Sequence, residues 1–191
     1  MGLNNENEWK SGAAGSANWF KAKLGETDWI VIGANTNQGN PVDYKGNGKR
    51  EAVDAFNDEV LGELLKMWPE MKTWKHVAGG FSAGGKQSYY RLSHLLKAEL
   101  PVAGLFLCGV NQCLAESARD HYKLKRKAFR GIPTFISTGE TDKLVNEGAL
   151  ERVKNQTDDA GFAPIRSERY PGGHVMNFDH LKEALEWFSG M

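Results

Sequence analysis

Apolar and polar positions along the chain alternate between two periods. Trp29-Ile30-Val31-Ile32 is a short apolar run closed by Gly33-Ala34-Asn35 and reads as a buried strand. Asn35 to Lys49, rich in Asn and Gly, reads as a loop. From Arg50 to Trp68 the apolar residues Val53, Phe56, Val60, Leu64 and Trp68, with Leu61 and Leu65 beside them, form one helical face. Pro69 stops that helix. His76-Val77-Ala78 leads into a Gly-rich segment, Gly79 to Gly85, and Tyr89, Leu92, Leu95 and Leu96 mark a second amphipathic helix. Val102 to Val110 is apolar on both faces, as a central parallel strand requires. A charged helical stretch covers Leu114 to Phe129, and Ile132 to Ile136 is a strand with Pro133 at its opening. Leu150 and Val153 belong to a helix ending near Gly161, Ile165 to Tyr170 to a more exposed strand, and Phe178, Leu181, Leu185 and Phe188 to a closing helix.

Strand follows helix throughout, which predicts an α/β fold with a mostly parallel sheet flanked by helices. No repeat, low-complexity tract or linker interrupts it, so residues 1–191 read as a single domain. Lys plus Arg equal Asp plus Glu at 24 each, and this neutrality argues against a nucleic-acid partner or adhesion to anionic lipid. No apolar run approaches the ~20 residues a membrane-spanning helix needs. The first residues have neither a basic start nor an apolar segment of signal-peptide type, and the compartment stays open. Cys108 and Cys113 read as two free thiols, with a local bridge as the alternative. Trp29 and Trp68 fall on faces expected to be buried, which assigns them to packing ahead of sugar stacking.

Gly80-Phe81-Ser82-Ala83-Gly84 is a G-x-S-x-G between a predicted strand and a predicted helix. A nucleophilic serine needs a tight strand-to-helix turn there, so nearly side-chain-free neighbours are required, and Gly80 and Gly84 meet that demand. The helix N-terminus offers backbone N–H groups to a developing oxyanion, with Ala83 as the natural first donor. Neither the nucleotide pattern G-x-x-x-x-G-K-S/T nor the dinucleotide pattern G-x-G-x-x-G is present at this turn. No cofactor is expected, and the scattered histidines and carboxylates leave no expected metal site.

A serine hydroxyl needs a base oriented by an acid. His174, in the turn Tyr170-Pro171-Gly172-Gly173-His174 after the last strand, is the candidate base; His76, His94, His121 and His180 read as surface or packing residues. Asp142, in Gly139-Glu140-Thr141-Asp142 after strand 132–136, is the candidate acid, with Glu140 in reserve. Loops after strands also supply candidate substrate contacts at Asn35 and Asn111.

The order Ser82, Asp142, His174 is that of the α/β-hydrolases. From about Trp19 to Phe188 the chain resembles a small esterase/lipase-like member of that superfamily, through Gly-Phe-Ser-Ala-Gly (80–84), Ser-Thr-Gly-Glu-Thr-Asp-Lys-Leu-Val (137–145) and Tyr-Pro-Gly-Gly-His (170–174). The resemblance implies a Ser nucleophile, a His base, an orienting Asp and a small-molecule ester substrate. It also implies a strand and oxyanion loop ahead of the first helix. Ser16 to Leu24 corresponds to that helix and residues 29–32 to the strand after it, so Gly12-Ala13-Ala14-Gly15 is the candidate remnant of the loop. The expectation is a minimal or N-terminally shortened hydrolase fold, or a chain that starts inside a longer protein. A second reading, from another class, is a non-catalytic hydrolase-like binding module with a half-built oxyanion hole.

Overall fold

The computed structural model describes residues 20–32 and 50–191. They fall into two compact units that meet in sequence at Leu64 and Leu65. In the smaller unit residues 20–24 are helical and Leu24 is buried. Residues 29–32 are not the buried strand that their apolar run predicts. Ile30 and Ile32 are exposed, and Trp29 and Val31 only partly covered. Four apolar residues become a strand only by pairing, and these four join no ladder among the described residues. Helix α1 (Arg50–Met67) begins in this unit, and the face read from its periodicity is its half-buried one.

The larger unit, Leu65 to Met191, opens with a 3-10 helix, Pro69–Thr73. Trp68, just before it, is half-buried with its ring 6.3 Å from that of Trp74, a packing role. Four strands follow, β1 (His76–Phe81), β2 (Val102–Cys108), β3 (Thr134–Gly139) and β4 (Ile165–Tyr170), all parallel and adjacent in chain order. The connections are α2 (Ala83–Lys97), α3 (Ala115–His121) with a 3-10 turn (Arg126–Phe129), and α4 (Glu147–Asp159); α5 (Phe178–Ser189) closes the chain.

Strand residues point alternately to the two faces of a sheet. Leu107 of β2 sits beside Ile136 of β3 and Phe106 beside Phe135. On one face Leu105, Leu107 and Ile136 join Tyr89 and Leu92 of α2, Ala115 and Ala118 of α3, and Leu150 and Val153 of α4 in one buried cluster. On the other face α5 covers Phe135, whose ring lies 5.8 Å from His180 and 6.3 Å from Trp187. A Cβ at Gly104 would fall 2.6 Å from the Phe188 ring, so α5 can lie this close only because residue 104 has no side chain. Each fully buried Phe contributes about 1.5–3 kcal/mol against leaving it in water.

The charged stretch 114–129 is two helical pieces, not one. Lys123 takes a left-handed conformation (φ 54°), its N–H bonds the Asp120 carbonyl and the Leu124 N–H bonds that of Arg119. This satisfies the last carbonyls of α3 and turns Leu124 back onto the core. Glu99 (φ 58°) ends α2 in the same way, with Leu100 buried behind it. Positive φ strains a residue bearing a Cβ, and in both cases a buried leucine offsets that cost.

Three strand ends position the candidate site. β1 runs to Phe81, so Ser82 leaves it directly. β2 stops at Cys108, two residues short of the apolar run, because Gly109 (φ 61°) turns the chain. β3 extends to Gly139, three residues past its expected end. Among the described residues no helix is long and apolar enough to cross a membrane.

Candidate active site

Ser82 lies between β1 and α2 with φ 53° and ψ −122°, a conformation that glycine adopts freely and other residues rarely. The N–H of Ser82 donates to the Cys108 carbonyl at 2.8 Å and its own carbonyl accepts from Lys86 N–H at 3.1 Å, so sheet and helix hold it from both sides. The tightness of the turn is measured at Gly80, where a Cβ would lie 2.7–2.9 Å from the backbone of Gly84 and Gly85. At Gly85 it would lie 2.9 Å from the Gly80 carbonyl oxygen and 2.5 Å from Val110 Cγ2. Glycine is required at both positions by backbone approach.

Asp142 sits in the loop after β3 and is buried, while Glu140 is exposed. Asp142 Oδ1 accepts the N–H groups of Leu144 at 2.8 Å and Val145 at 3.1 Å, which leaves Oδ2 to face the turn after β4. That turn is clamped to the Asp142 loop by two backbone bonds, Glu140 N–H to the Tyr170 carbonyl and Thr141 N–H to the Gly172 carbonyl, both 2.9 Å. Gly139 has no room for a side chain, since a Cβ there would run into the Gly172 and Gly173 carbonyl oxygens.

The two loops bring three side chains into line. His174 Nδ1 is 2.8 Å from Asp142 Oδ2, and His174 Nε2 is 2.9 Å from Ser82 Oγ. A carboxylate only accepts, so Nδ1 carries the proton and donates it to Asp142. Nε2 is then the lone-pair nitrogen, and the Ser82 hydroxyl donates to it. The residues are separated by 92 and 32 positions in sequence, and β1, β3 and β4 deliver them to one edge of the sheet. Ala83 opens α2, so its N–H has no acceptor within the helix and is available beside Ser82.

Asn111 is exposed on the loop after β2, and its side-chain amide donates to the Leu144 carbonyl at 3.4 Å, which joins that loop to the Asp142 loop. Asn35 and the Gly12 to Gly15 segment lie outside the described residues. Cys108 and Cys113 are free thiols. His180, read as a packing residue, packs against Phe135 and Tyr170 and is also 2.9 Å from Ser137 Oγ through Nδ1.

Two contributors to the site have no signal of their own in the sequence. The Phe81 ring, 4.7 Å from that of His174, forms a wall for the imidazole. Gly109 is the second: a Cβ there would lie 2.8 Å from Phe81 and 3.1 Å from His174 Cε1. A glycine directly after an apolar strand is the only hint of it.

No protein-family model and no curated protein matches the sequence. Solved structures do match. An acyl-protein thioesterase 2 of Zea mays superposes with a TM-score of 0.54 at 19% identity, over 82% of this chain and 69% of that one. A Bacillus cereus carboxylesterase gives 0.51 at 21% identity, over 76% and 65%, and SOBER1 of Arabidopsis thaliana 0.51 at 19%, over 74% and 65%. The chain has an α/β-hydrolase fold. It spans about two thirds of the length of these α/β-hydrolases. Three of the four parallel strands, β1, β3 and β4, lead at their C-terminal ends into Ser82, Asp142 and His174, the edge from which α/β sheets act on ligands.

Proposed function

We propose that the protein is a serine hydrolase that cleaves a carboxylic ester through an acyl-enzyme, as a single α/β-hydrolase-like domain. The observation that carries this reading is the continuous relay Ser82 Oγ–His174 Nε2 and His174 Nδ1–Asp142 Oδ2, at 2.9 and 2.8 Å. As Oγ bonds to the acyl carbon, the Ser82 proton passes to Nε2, and Asp142 stabilises the imidazolium. The Ala83 N–H faces the oxygen that gains charge. Collapse of the tetrahedral adduct breaks the bond to the alcohol oxygen, which takes the proton from Nε2. Water then gives its proton to Nε2 and attacks the acyl carbon, and the acid leaves as Ser82 Oγ recovers a proton.

The names of the structural neighbours, a carboxylesterase and an acyl-protein thioesterase, support acyl transfer to water on this fold. A carboxylic ester is the substrate class on that likeness. Reaction with an active-site-directed fluorophosphonate tests the nucleophile. Stoichiometric labelling that is lost in Ser82→Ala is the expected result. No labelling would overturn it and favour a binding module. Hydrolysis of p-nitrophenyl esters of increasing acyl length then defines the acyl group.

A further inference from the structure

Tyr170 ends β4 four residues before His174, and its side chain turns back under the loop that follows. The ring is buried, edge-on to His180 with centroids 5.5 Å apart, and a Cβ at Gly172 would lie 3.3 Å from it. Its hydroxyl reaches the Val175 carbonyl and lies 3.4 Å from that of Gly173. These carbonyls belong to the residues on either side of His174. The Cys108 thiol approaches the same Val175 carbonyl at 3.6 Å and lies 4.0 Å from the phenol oxygen.

We infer that the Tyr170 hydroxyl is a positioning group for His174, holding the Val175 carbonyl just after the imidazole with the Gly173 carbonyl just before it at longer reach, and with Cys108 as a weaker second donor to Val175. The role rests on His174 acting as the base proposed above. The backbone bonds that clamp this turn reach it at Tyr170 and Gly172, before the histidine, and the Val175 N–H turns back only onto Gly173. Beyond Gly173, the phenol and thiol tie the backbone of the loop to the ends of β4 and β2, beside the bonds that the His174 ring itself makes to Asp142 and Ser82. Burial pushes the Tyr170 phenol above its ordinary range, so it stays protonated and remains a donor. Small displacement of a base from its attack geometry costs rate steeply, so one hydrogen bond at this point has leverage on the chemical step.

Tyr170→Phe keeps the ring and removes only the hydroxyl. Fluorophosphonate titration gives the fraction of active sites, and kcat is then expressed per titrated site. The expected result is a fall in per-site kcat of about tenfold with KM nearly unchanged, and a matching fall in the rate of fluorophosphonate inactivation. A merely structural role would lower the thermal midpoint and the titrated fraction and leave the per-site rate alone, which overturns the inference. Cys108→Ala is expected to lower per-site kcat by a smaller factor, and it carries the test if Tyr170→Phe fails to fold. An unchanged per-site rate in that variant would then overturn the inference. Failure of the wild-type protein to label at Ser82 is a different result, which removes the proposed hydrolase reading itself.

Discussion

Asp142 divides its carboxylate between His174 and its own loop: Oδ2 meets His174 Nδ1 at 2.8 Å, and Oδ1 accepts two backbone N–H groups from Leu144 and Val145. The same group thus shapes the loop and aims the imidazole. Glu140, two residues earlier and exposed, has its backbone engaged with Tyr170 and Arg169 and its side chain outside this arrangement.

Asp142→Asn and Glu140→Gln should therefore separate widely. An amide at position 142 presents a donor where an acceptor is needed and favours the wrong imidazole tautomer, an exchange that costs about 10⁴ in kcat in a comparable triad. Glu140→Gln should stay within a small factor in rate and about 0.5 kcal/mol in stability. Steady-state kinetics on an ester and urea melts of both variants check this. Equal losses would remove Asp142 from its special position.

Ser82 combines strain with chemistry, and the two can be separated by substitution. Ser82→Ala keeps a Cβ at φ 53° and should abolish nearly all turnover with little change in stability. Ser82→Gly should be equally inactive yet more stable than Ser82→Ala by about 1 kcal/mol, because glycine adopts this conformation without the steric cost. Chemical denaturation of the two proteins side by side decides it. A glycine variant no more stable than the alanine variant would mean that the turn stores no strain.

Gly104 and Gly139 are both closed to a side chain, but against different neighbours. Gly104→Ala meets the Phe188 ring and should destabilise by about 1–3 kcal/mol with kcat per active site preserved. Gly139→Ala meets the Gly172 and Gly173 carbonyls and should displace His174, lowering kcat as well as stability. Thermal melts paired with per-site kinetics distinguish the two. Loss of per-site rate in the Gly104 variant would show that the α5 face communicates with the site.

Stability should decline in alkali. Burial raises the Cys108 thiol from its ordinary 9.0, and the Tyr89 and Tyr170 phenols from 10.0. Each group is neutral when protonated and ionises at lower pH in the unfolded chain than in the folded one. The unfolded state therefore loses protons first. The contribution of these groups is fully present below about pH 9 and is lost progressively as pH rises toward their raised folded values. Urea midpoints at pH 7, 9 and 10.5 should fall in that order, and less steeply in Tyr89→Phe. A midpoint independent of pH over this range would contradict the burial of these groups.

Much of the larger unit is legible in the sequence because its elements are long and periodic. The faces of α2, α4 and α5 repeat at helical spacing, and β2 is apolar at every position that the sheet buries. Glycines at 80 and 84 around Ser82, the loop after β3, and Gly-Gly-His after β4 mark the three places from which Ser82, Asp142 and His174 converge. Local chemistry determines these features: a tight turn demands glycine, and a parallel strand demands apolar residues on both faces.

Tertiary structure decided the rest. Residues 29–32 have the composition of a strand but join no ladder among the described residues, since strand formation needs a partner that no local pattern specifies. The break at Lys123 follows from Leu124 returning to the core, a choice made by packing against a helix propensity that would have continued. The roles of Phe81, Gly109 and Tyr170 arise from contacts between residues far apart along the chain, such as Phe81 with His174, or from a loop folding back on its own strand, so they depend on how β1, β2 and β4 are brought together. Sequence determines which elements exist and where glycine is obligatory; only the packed sheet determines which side chains stand within hydrogen-bond reach, because that distance is set by residues far apart along the chain.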